Sequence, residues 1–388
     1  MAYAFTVPFD LVKNEALGLS VTVPAAAAVI VLAAVESARS EPDAVKIRGS
    51  VIGLMLALLV WVAATGFWSA NQLSSIISIG VLAQNMLVAI ALGVYCRRVW
   101  PILLIATLTS STYIAVRVIT SDTSTGLTNR ATYNGADQNT VALTLCVAVA
   151  LAFSMMGKGP SLRMHAYLVA CSGCCIYAVL LTGSRSGVIT VLSVGALFAM
   201  TRLRPSAGAR GKMAIVAMAG VGYWVYVRLD TFSQISSRVT DFSGLSLVGD
   251  DSRGAILGTY FKYFDSWWLI GVGSGADIDF IKDQGELPLN AHGLIWKVWI
   301  ETGFVGLSIW LGLLISVALA GLNSKSTLRA SVAFALVPLA IFSLTLGGQT
   351  LSIVWLIIGL CLTSAGAPIS RGEPSLEEDS LVALGGRP

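Results

Sequence analysis

The sequence predicts an all-α polytopic membrane protein with about eleven transmembrane helices (ten to twelve) and one long extracytoplasmic loop that carries an interfacial helix. The 388 residues are 55% hydrophobic and only 12% charged, whereas soluble domains carry about 25% charged residues. Several apolar runs reach the ~20 residues that a helix needs to cross a bilayer. The runs are continuous rather than alternating, so they favour helices over the strands of a β-barrel.

Eleven apolar segments are predicted to cross the membrane, each separated from the next by polar or glycine-rich residues. They cover residues 18–35, 49–66, 73–95, 101–119, 139–156, 165–182, 187–201, 212–227, 292–320, 328–346 and 350–366. The N-terminus lacks the basic region that opens a secretory signal peptide, so the first apolar segment is expected to be retained.

The basic residues indicate the orientation of these segments. One set of connectors holds thirteen lysines and arginines, whereas the opposite short connectors hold only Lys13, Arg130 and Arg185. The positive-inside rule places the first set in the cytoplasm. Eleven spans then leave the N-terminus outside, and a twelfth, short span would place both ends inside.

The longest connector, residues 228–291, falls on the extracytoplasmic side. It has five basic and nine acidic residues, a net charge of −4. Within it, Leu257–Val272 is rich in aromatic residues but contains Lys262 and Asp265, which predicts an interfacial helix rather than a span. The chain thus divides into an N-terminal transmembrane bundle (1–227), this loop (228–291), C-terminal transmembrane helices (292–367) and a disordered cytoplasmic tail (368–388).

Several features are better explained by packing or solvation than by chemistry. The six cysteines lie in or beside apolar segments and are predicted to be small packing residues, not zinc ligands. Asp277 and Asp279 have the spacing of a metal-binding pair, but we expect a solvated loop. His165, beside Arg163, is expected to be structural. No basic stretch interleaved with aromatic residues suggests nucleic acid.

Three polar features on the predicted outer side are candidates for chemistry. His292 stands where a polar loop enters a long apolar segment, and a neutral imidazole can accept a proton near physiological pH. Arg185 lies in a turn rich in glycine and serine, where a phosphate could approach the backbone closely. Arg253 precedes the interfacial helix and could pair bidentately with a diphosphate.

Each feature also has a structural interpretation. His292 could cap its helix or sit at the membrane interface. Arg185 could be a snorkelling interfacial arginine. Arg253 could form a salt bridge with Asp250 or Asp251.

Taken together, these motifs resemble the superfamily of O-antigen ligases and polymerases, the membrane glycosyltransferases of the C type. His292, Gly303 and Gly306 fit the family pattern of His, a polar residue, nine others and Gly-x-x-Gly, with Gly293 standing where Asn, Ser or Gln is usual. The resemblance also rests on the family's Arg-x-x-x-Leu pattern, its Gly-Val-Gly stretch, its Ser-Arg turn and its Asp-x-Asn entry to a middle span. These are met by Arg253 with Leu257, by Gly271–Gly273, by Ser184 with Arg185, and by Asp137 with Asn139.

The resemblance implies a donor that is a polyprenyl-diphosphate-linked glycan, an acceptor sugar hydroxyl, and a site on the periplasmic face of the bacterial inner membrane. His292 would be the catalytic base, Arg185 and Arg253 would bind the diphosphate, and no metal or other cofactor is expected. Arg117, Arg130, Asn139 and Glu301 are second-tier substrate-binding candidates. Glu301 is also expected to pair with Lys297, four residues before it.

Three functions remain open from the sequence. We favour a polymerase of surface polysaccharide repeat units, such as an exopolysaccharide polymerase. A ligase that moves the glycan to lipid A core or another acceptor is the first alternative. A flippase or transporter of the lipid-linked oligosaccharide is the second, but its ionisable groups would be expected near the bilayer midplane.

Overall fold

A computed structural model of the protein describes residues 3, 6–8, 22–39, 49–95, 100–120, 133, 137–156, 160–202, 252–286, 291, 293–324, 326, 328–345 and 351–365. These residues are almost entirely helical, and no strand occurs among them. The helices are α1 (Thr22–Arg39), α2 (Gly49–Thr65), α3 (Gln72–Tyr95), α4 (Trp100–Thr120), α5 (Gln138–Met156), α6 (Leu162–Leu181), α7 (Arg185–Arg202), α8 (Ser252–Lys262), α9 (Phe264–Trp267), α10 (Asp277–Asp283), α11 (Leu294–Leu322), α12 (Arg329–Ser343) and α13 (Ser352–Ala365).

Ten of the eleven predicted spans coincide with helices, and the remaining one, 212–227, lies outside the described residues. Six helical segments are long and apolar enough to cross a membrane: Gly49–Trp68, Gln72–Val94, Trp100–Thr120, Gln138–Met156, Leu162–Leu181 and Leu294–Leu322. Shorter apolar helices occur in α1, α7, α12 and α13. The chain is therefore an α-helical membrane protein.

Helix α5 lies at the centre of the bundle and packs against α4, α6, α7 and α12. Its residues are almost all buried, including Ala148, Ala150 and Ala152, whose small side chains let neighbouring helices approach closely. The Ser154 hydroxyl near the end of α5 bonds to that of Ser331 near the start of α12, at 2.9 Å. The two helices are therefore antiparallel, so the end of α12 lies at the same end of the bundle as the start of α5.

The helices at the two ends of the chain pack into this same bundle. α13 lies along α3 and α11, while α11 lies along α2. The backbone of α13 comes close to α3 at Gly359, where a Cβ would lie 3.0 Å from Cβ of Leu92. Four free cysteines, Cys146, Cys171, Cys175 and Cys361, are buried in the helix packing.

The segment 252–286 forms a small second core against the first turns of α11. Ile256, Tyr260, Trp267, Val272, Ile281, Ala291 and Ile300 make up this core. The sequence predicted one interfacial helix over Leu257–Val272, whereas the structure has α8, the single turn α9 and then a loop. The helix is interrupted because Tyr263 departs from helical geometry (φ −111°) and Gly271 has a positive φ of 78°.

Candidate active site

Helix α11 is broken at Gly303, which has φ 70° and ψ −176°. The part after the break, Phe304–Leu322, has 19 residues and rises ~28 Å, close to the ~30 Å of a hydrocarbon core. The part before the break, Leu294–Thr302, contains both charged residues of the helix, Lys297 and Glu301. Phe304–Leu322 is therefore long enough to span the bilayer by itself. Leu294–Thr302, which carries the charges, can then lie at the membrane surface.

The loop between α9 and α10 fills this break by hydrogen bonding on both sides of it. Backbone N–H groups of Val272 and Gly273 donate to the carbonyls of Ile300 and Glu301, at 2.9 and 3.0 Å. In return, the Phe304 N–H donates to the Trp268 carbonyl at 2.8 Å. Groups that an unbroken helix would pair internally are thus paired with the loop, as buried backbone groups require.

Three tryptophan side chains reinforce this contact. The indole N–H of Trp61 in α2 donates to the Thr302 carbonyl at 2.7 Å, and that of Trp68 donates to the Gly271 carbonyl at 3.0 Å. A third indole, of Trp299, donates to the Trp268 carbonyl at 2.9 Å. Tryptophan prefers the interface between membrane and water. These three indoles therefore favour a membrane boundary near the break in α11.

Glycine is required in the loop for two reasons: the backbone has positive φ, and neighbouring atoms leave no room for a Cβ. Gly271, Gly273 and Gly275 all have positive φ. A Cβ on them would overlap the Glu301 carbonyl, Ser69 and the Ser78 hydroxyl respectively. A Cβ on Gly303 would overlap the Leu269 carbonyl. The Gly-Val-Gly stretch and the Gly-x-x-Gly pattern are therefore the two sides of one joint between the loop and α11.

A buried ionic cluster lies beside this joint. Nζ of Lys297 is 3.1 Å from Oδ1 of Asp277 and 3.2 Å from Oε1 of Glu301. Asp277 and Glu301 are each only 1% exposed. The predicted pairing of Lys297 with Glu301 is confirmed. The expected solvated loop at Asp277 is wrong, because Asp277 begins α10 and faces Lys297, twenty residues further along the chain.

Other polar groups complete the surroundings of Asp277. Oδ2 of Asp277 accepts the Ala291 N–H at 3.2 Å. The Tyr260 hydroxyl also lies against Asp277, and burial together with the nearby carboxylate raises the pKa of Tyr260 above its usual value. Asp279, on the same helix, instead accepts from the Asn71 side-chain amide at 2.8 Å. Neither aspartate therefore stands in open solution.

His292 lies outside the described residues, but both of its neighbours are described. Ala291 is buried and tied to Asp277 through its N–H. Gly293 has φ 99°, and a Cβ there would lie 2.8 Å from the Leu344 carbonyl. Asn, Ser or Gln, the residues usual in the family pattern, would be strained at this position. The departure at Gly293 thus follows from the backbone conformation that this chain adopts.

The turn before α7 holds Arg185 at its first helical position, with an exposed side chain. Beside it, the Ser184 hydroxyl donates to Oδ1 of Asn139 at 2.9 Å and lies 3.1 Å from the Ser186 hydroxyl. Asp137 caps α5 by accepting the N–H groups of Asn139 and Thr140, each at 3.0 Å. The structure thus brings the Ser-Arg turn and the Asp-x-Asn motif into direct contact.

The same end of the bundle carries Ala291 and Gly293, the two neighbours of His292. Leu344, just after α12, contacts Gly293, and the end of α12 lies level with the start of α5, where Asn139 is found. Arg117 is exposed near the end of α4. Its positive charge lies close enough to interact with the Tyr133 hydroxyl, which precedes α5 in the chain. The described second-tier candidates Arg117, Asn139 and Glu301, in α4, α5 and α11, therefore lie toward the same end of the bundle. Arg130 lies outside the described residues.

The backbone of Arg253 lies in the first turn of α8. The side chain of Arg253 lies outside the described part of the structure. α8 packs through Ile256 and Tyr260 into the small core that also contains Ala291. The backbone at Arg253 is therefore only one helical turn from that core.

Comparison with known proteins bears on these motifs directly. Residues 166–311 match the family described as O-antigen ligase. The predicted resemblance to the O-antigen ligase and polymerase superfamily is confirmed. No curated protein sequence matches the chain.

Three chains of solved structures also match. One belongs to a structure described as "Structural coordination of polymerization and crosslinking by a peptidoglycan synthase complex". It is 19% identical, with a TM-score of 0.41, over 82% of this chain and 97% of that one.

The O-antigen ligase match covers less than half of the chain but contains the principal candidates. It runs from α6 into the second part of α11, so it includes Arg185, Arg253, His292 and both sides of the glycine joint. Arg117, Arg130 and Asn139 lie outside it. Asp277 lies inside it and was interpreted from the sequence as a solvated loop residue, because its partner Lys297 is distant in the chain. The assignment of chemical roles to these residues stays a prediction.

Proposed function

We propose that the protein is a metal-independent, inverting membrane glycosyltransferase that uses a polyprenyl-diphosphate-linked glycan as donor and a sugar hydroxyl as acceptor. The observation that carries the proposal is the O-antigen ligase match over residues 166–311, which spans Arg185, Arg253 and His292. The family match indicates a glycosyl-transferring enzyme in general. The donor, the acceptor and the roles of the three residues are our inference.

In the proposed reaction, the acceptor oxygen attacks the anomeric carbon of the donor sugar. The bond from that carbon to the diphosphate oxygen breaks, and the acceptor's proton passes to His292. Arg185 and Arg253 would stabilise the negative charge that grows on the departing diphosphate. A single displacement inverts the anomeric carbon. Two guanidinium groups could thus do the work that a divalent cation does in other transferases.

The distribution of charge favours one-sided chemistry over transport. Arg117, Arg185 and the Lys297 cluster lie toward one end of the bundle, whereas Arg163 and Arg329 lie at the start of helices at the opposite end. Between those ends, the described parts of α2 to α7, α11 and α13 carry no charged side chain. A transporter would be expected to hold ionisable groups near the midplane, so the flippase remains the weaker alternative.

For the acceptor, we favour a second lipid-linked repeat unit, which would make the protein a polymerase rather than a ligase. The proposed location is the bacterial inner membrane, with the site on its periplasmic face. The basic connectors support this orientation through the positive-inside rule.

The test is transfer by the purified full-length protein in nanodiscs, with a lipid-diphosphate oligosaccharide as substrate and EDTA present. A ladder of repeat units, seen by gel and mass spectrometry, is the expected result. Transfer to an added lipid A core acceptor without a ladder would replace the polymerase by the ligase. Movement of the lipid between leaflets without any new glycosidic bond would overturn the proposal in favour of a flippase.

Replacing Arg253 with lysine should reduce kcat/KM about ten-fold to a hundred-fold. Lysine keeps the positive charge but loses the planar fork that can bind two phosphate oxygens at once, and a hydrogen bond to a charged group contributes about 1.5–3 kcal/mol. Steady-state kinetics with EDTA would measure the effect. Arg329→Lys, at the start of α12 on the opposite side, is the matched control and should retain full activity. Full activity of Arg253→Lys would make Arg253 a structural residue.

A further inference from the structure

The cluster of Asp277, Lys297 and Glu301 joins two parts of the chain on either side of His292. Two acidic residues face one basic residue, so the formal charge is −1, and all three side chains are 18% exposed or less. Burying charges costs free energy unless they are paired and hydrogen bonded. A buried arrangement of this kind next to a candidate catalytic residue therefore requires an explanation.

Asp277 binds the residue before His292 and the helix after it at the same time. One carboxylate oxygen accepts the Ala291 N–H at 3.2 Å, and the other accepts Nζ of Lys297 at 3.1 Å. The Lys297 N–H in turn donates to the Gly293 carbonyl at 2.8 Å, within the first turn of α11. The backbone on both sides of His292 is thus connected to one carboxylate, directly on one side and through Lys297 on the other.

Glu301 links Lys297 to the loop that bridges the break in α11. Oε1 of Glu301 contacts Lys297, while Oε2 lies 3.5 Å from the Ser274 hydroxyl of the loop. The Glu301 carbonyl accepts the Gly273 N–H at 3.0 Å. The cluster therefore connects the two neighbours of His292 to the loop that bridges the break in α11.

We propose that Asp277 is a positioning residue that holds Ala291 and Gly293, the two neighbours of His292, in place, with Lys297 and Glu301 keeping its carboxylate oriented. The catalytic consequence rests on the proposed role of His292, whereas the mechanical role of Asp277 does not. A general base must be held within hydrogen-bonding reach of the proton that it removes. A residue whose two neighbours are held by hydrogen bonds meets that requirement better than one in a free loop.

The proposal is tested by hydrogen exchange of the full-length protein in nanodiscs, read at a peptic peptide covering residues 289–293. Asp277→Ala removes the acceptor of the Ala291 N–H and should speed its exchange on the order of ten-fold. Asp277→Asn keeps a carbonyl acceptor and should retain most of the protection. Asp279→Ala is the matched control, because Asp279 lies on the same helix but accepts a hydrogen bond from Asn71 rather than from Ala291.

Transfer kinetics supply the second measurement. In Asp277→Ala, kcat should fall at least ten-fold with little change in KM, and Asp277→Asn should recover part of the loss. Unchanged exchange in Asp277→Ala would overturn the proposal whether or not the protein transfers glycans. Faster exchange with unchanged kcat would overturn the link to catalysis. Absence of transfer by the wild type would refute the proposed function, while the exchange result would still decide the role of Asp277.

Discussion

Replacing His292 with alanine is expected to reduce glycan transfer to background, a loss of about a hundred-fold to ten-thousand-fold in kcat. The acceptor hydroxyl is a poor nucleophile until its proton is removed, and alanine cannot accept that proton. The neighbours of His292 are fixed by backbone contacts at Ala291 and Gly293, so removal of the imidazole should leave the surrounding fold intact. Single-turnover transfer in nanodiscs would measure the effect on the chemical step.

The chain offers a matched control for this substitution in its only other histidine. His165 lies in the first turn of α6, where its backbone N–H donates to the Ser161 carbonyl at 2.9 Å. It begins its helix at the end of the bundle opposite to Asn139 and Arg185. His165→Ala should therefore transfer glycan at the wild-type rate. Near-normal product from His292→Ala, with the protein still folded by size-exclusion chromatography, would refute the assignment of His292 as the base.

The membrane helices could be predicted because their signal is local. A run such as that in α5 is apolar on every side, so hydropathy alone identifies it without knowledge of its neighbours. The predicted start of α7 at residue 187 was two residues late, since Arg185 and Ser186 are already helical. Such boundary residues are polar, and their helicity depends on capping contacts such as those of Ser184, which hydropathy does not measure.

The site could be predicted only as a set of motifs in order along the chain. Gly303 was placed inside one continuous span, because a single glycine is compatible with a helix and nothing nearby indicates a break. The break becomes evident only when the loop that contains Gly271 and Gly273 is placed against it. Asp277 illustrates the same limit, since a carboxylate in a polar stretch is normally solvated unless a distant lysine reaches it.

Replacing Gly303 with alanine is expected to disrupt the joint between α11 and the loop, and with it transfer activity. The observed φ of 70° with ψ near 180° is a region that is essentially restricted to glycine. Strain of this kind costs about 1–3 kcal/mol, and the added Cβ would also overlap the Leu269 carbonyl. Hydrogen exchange should increase at Val272, Gly273, Phe304 and Val305, whose N–H groups bridge the break.

Gly312→Ala is the matched control for Gly303→Ala, because it lies on the same helix in ordinary helical geometry. A Cβ there would make a normal contact of 3.8 Å with the Leu54 side chain, and alanine favours a helix over glycine by about 1 kcal/mol. Gly312→Ala should therefore keep full activity and protection. If Gly303→Ala behaved in the same way, α11 could continue through residue 303 as an unbroken helix. The loop would then pack against α11 without the break at Gly303. The Asp277 cluster alone would have to hold the charged part of α11 at the membrane surface.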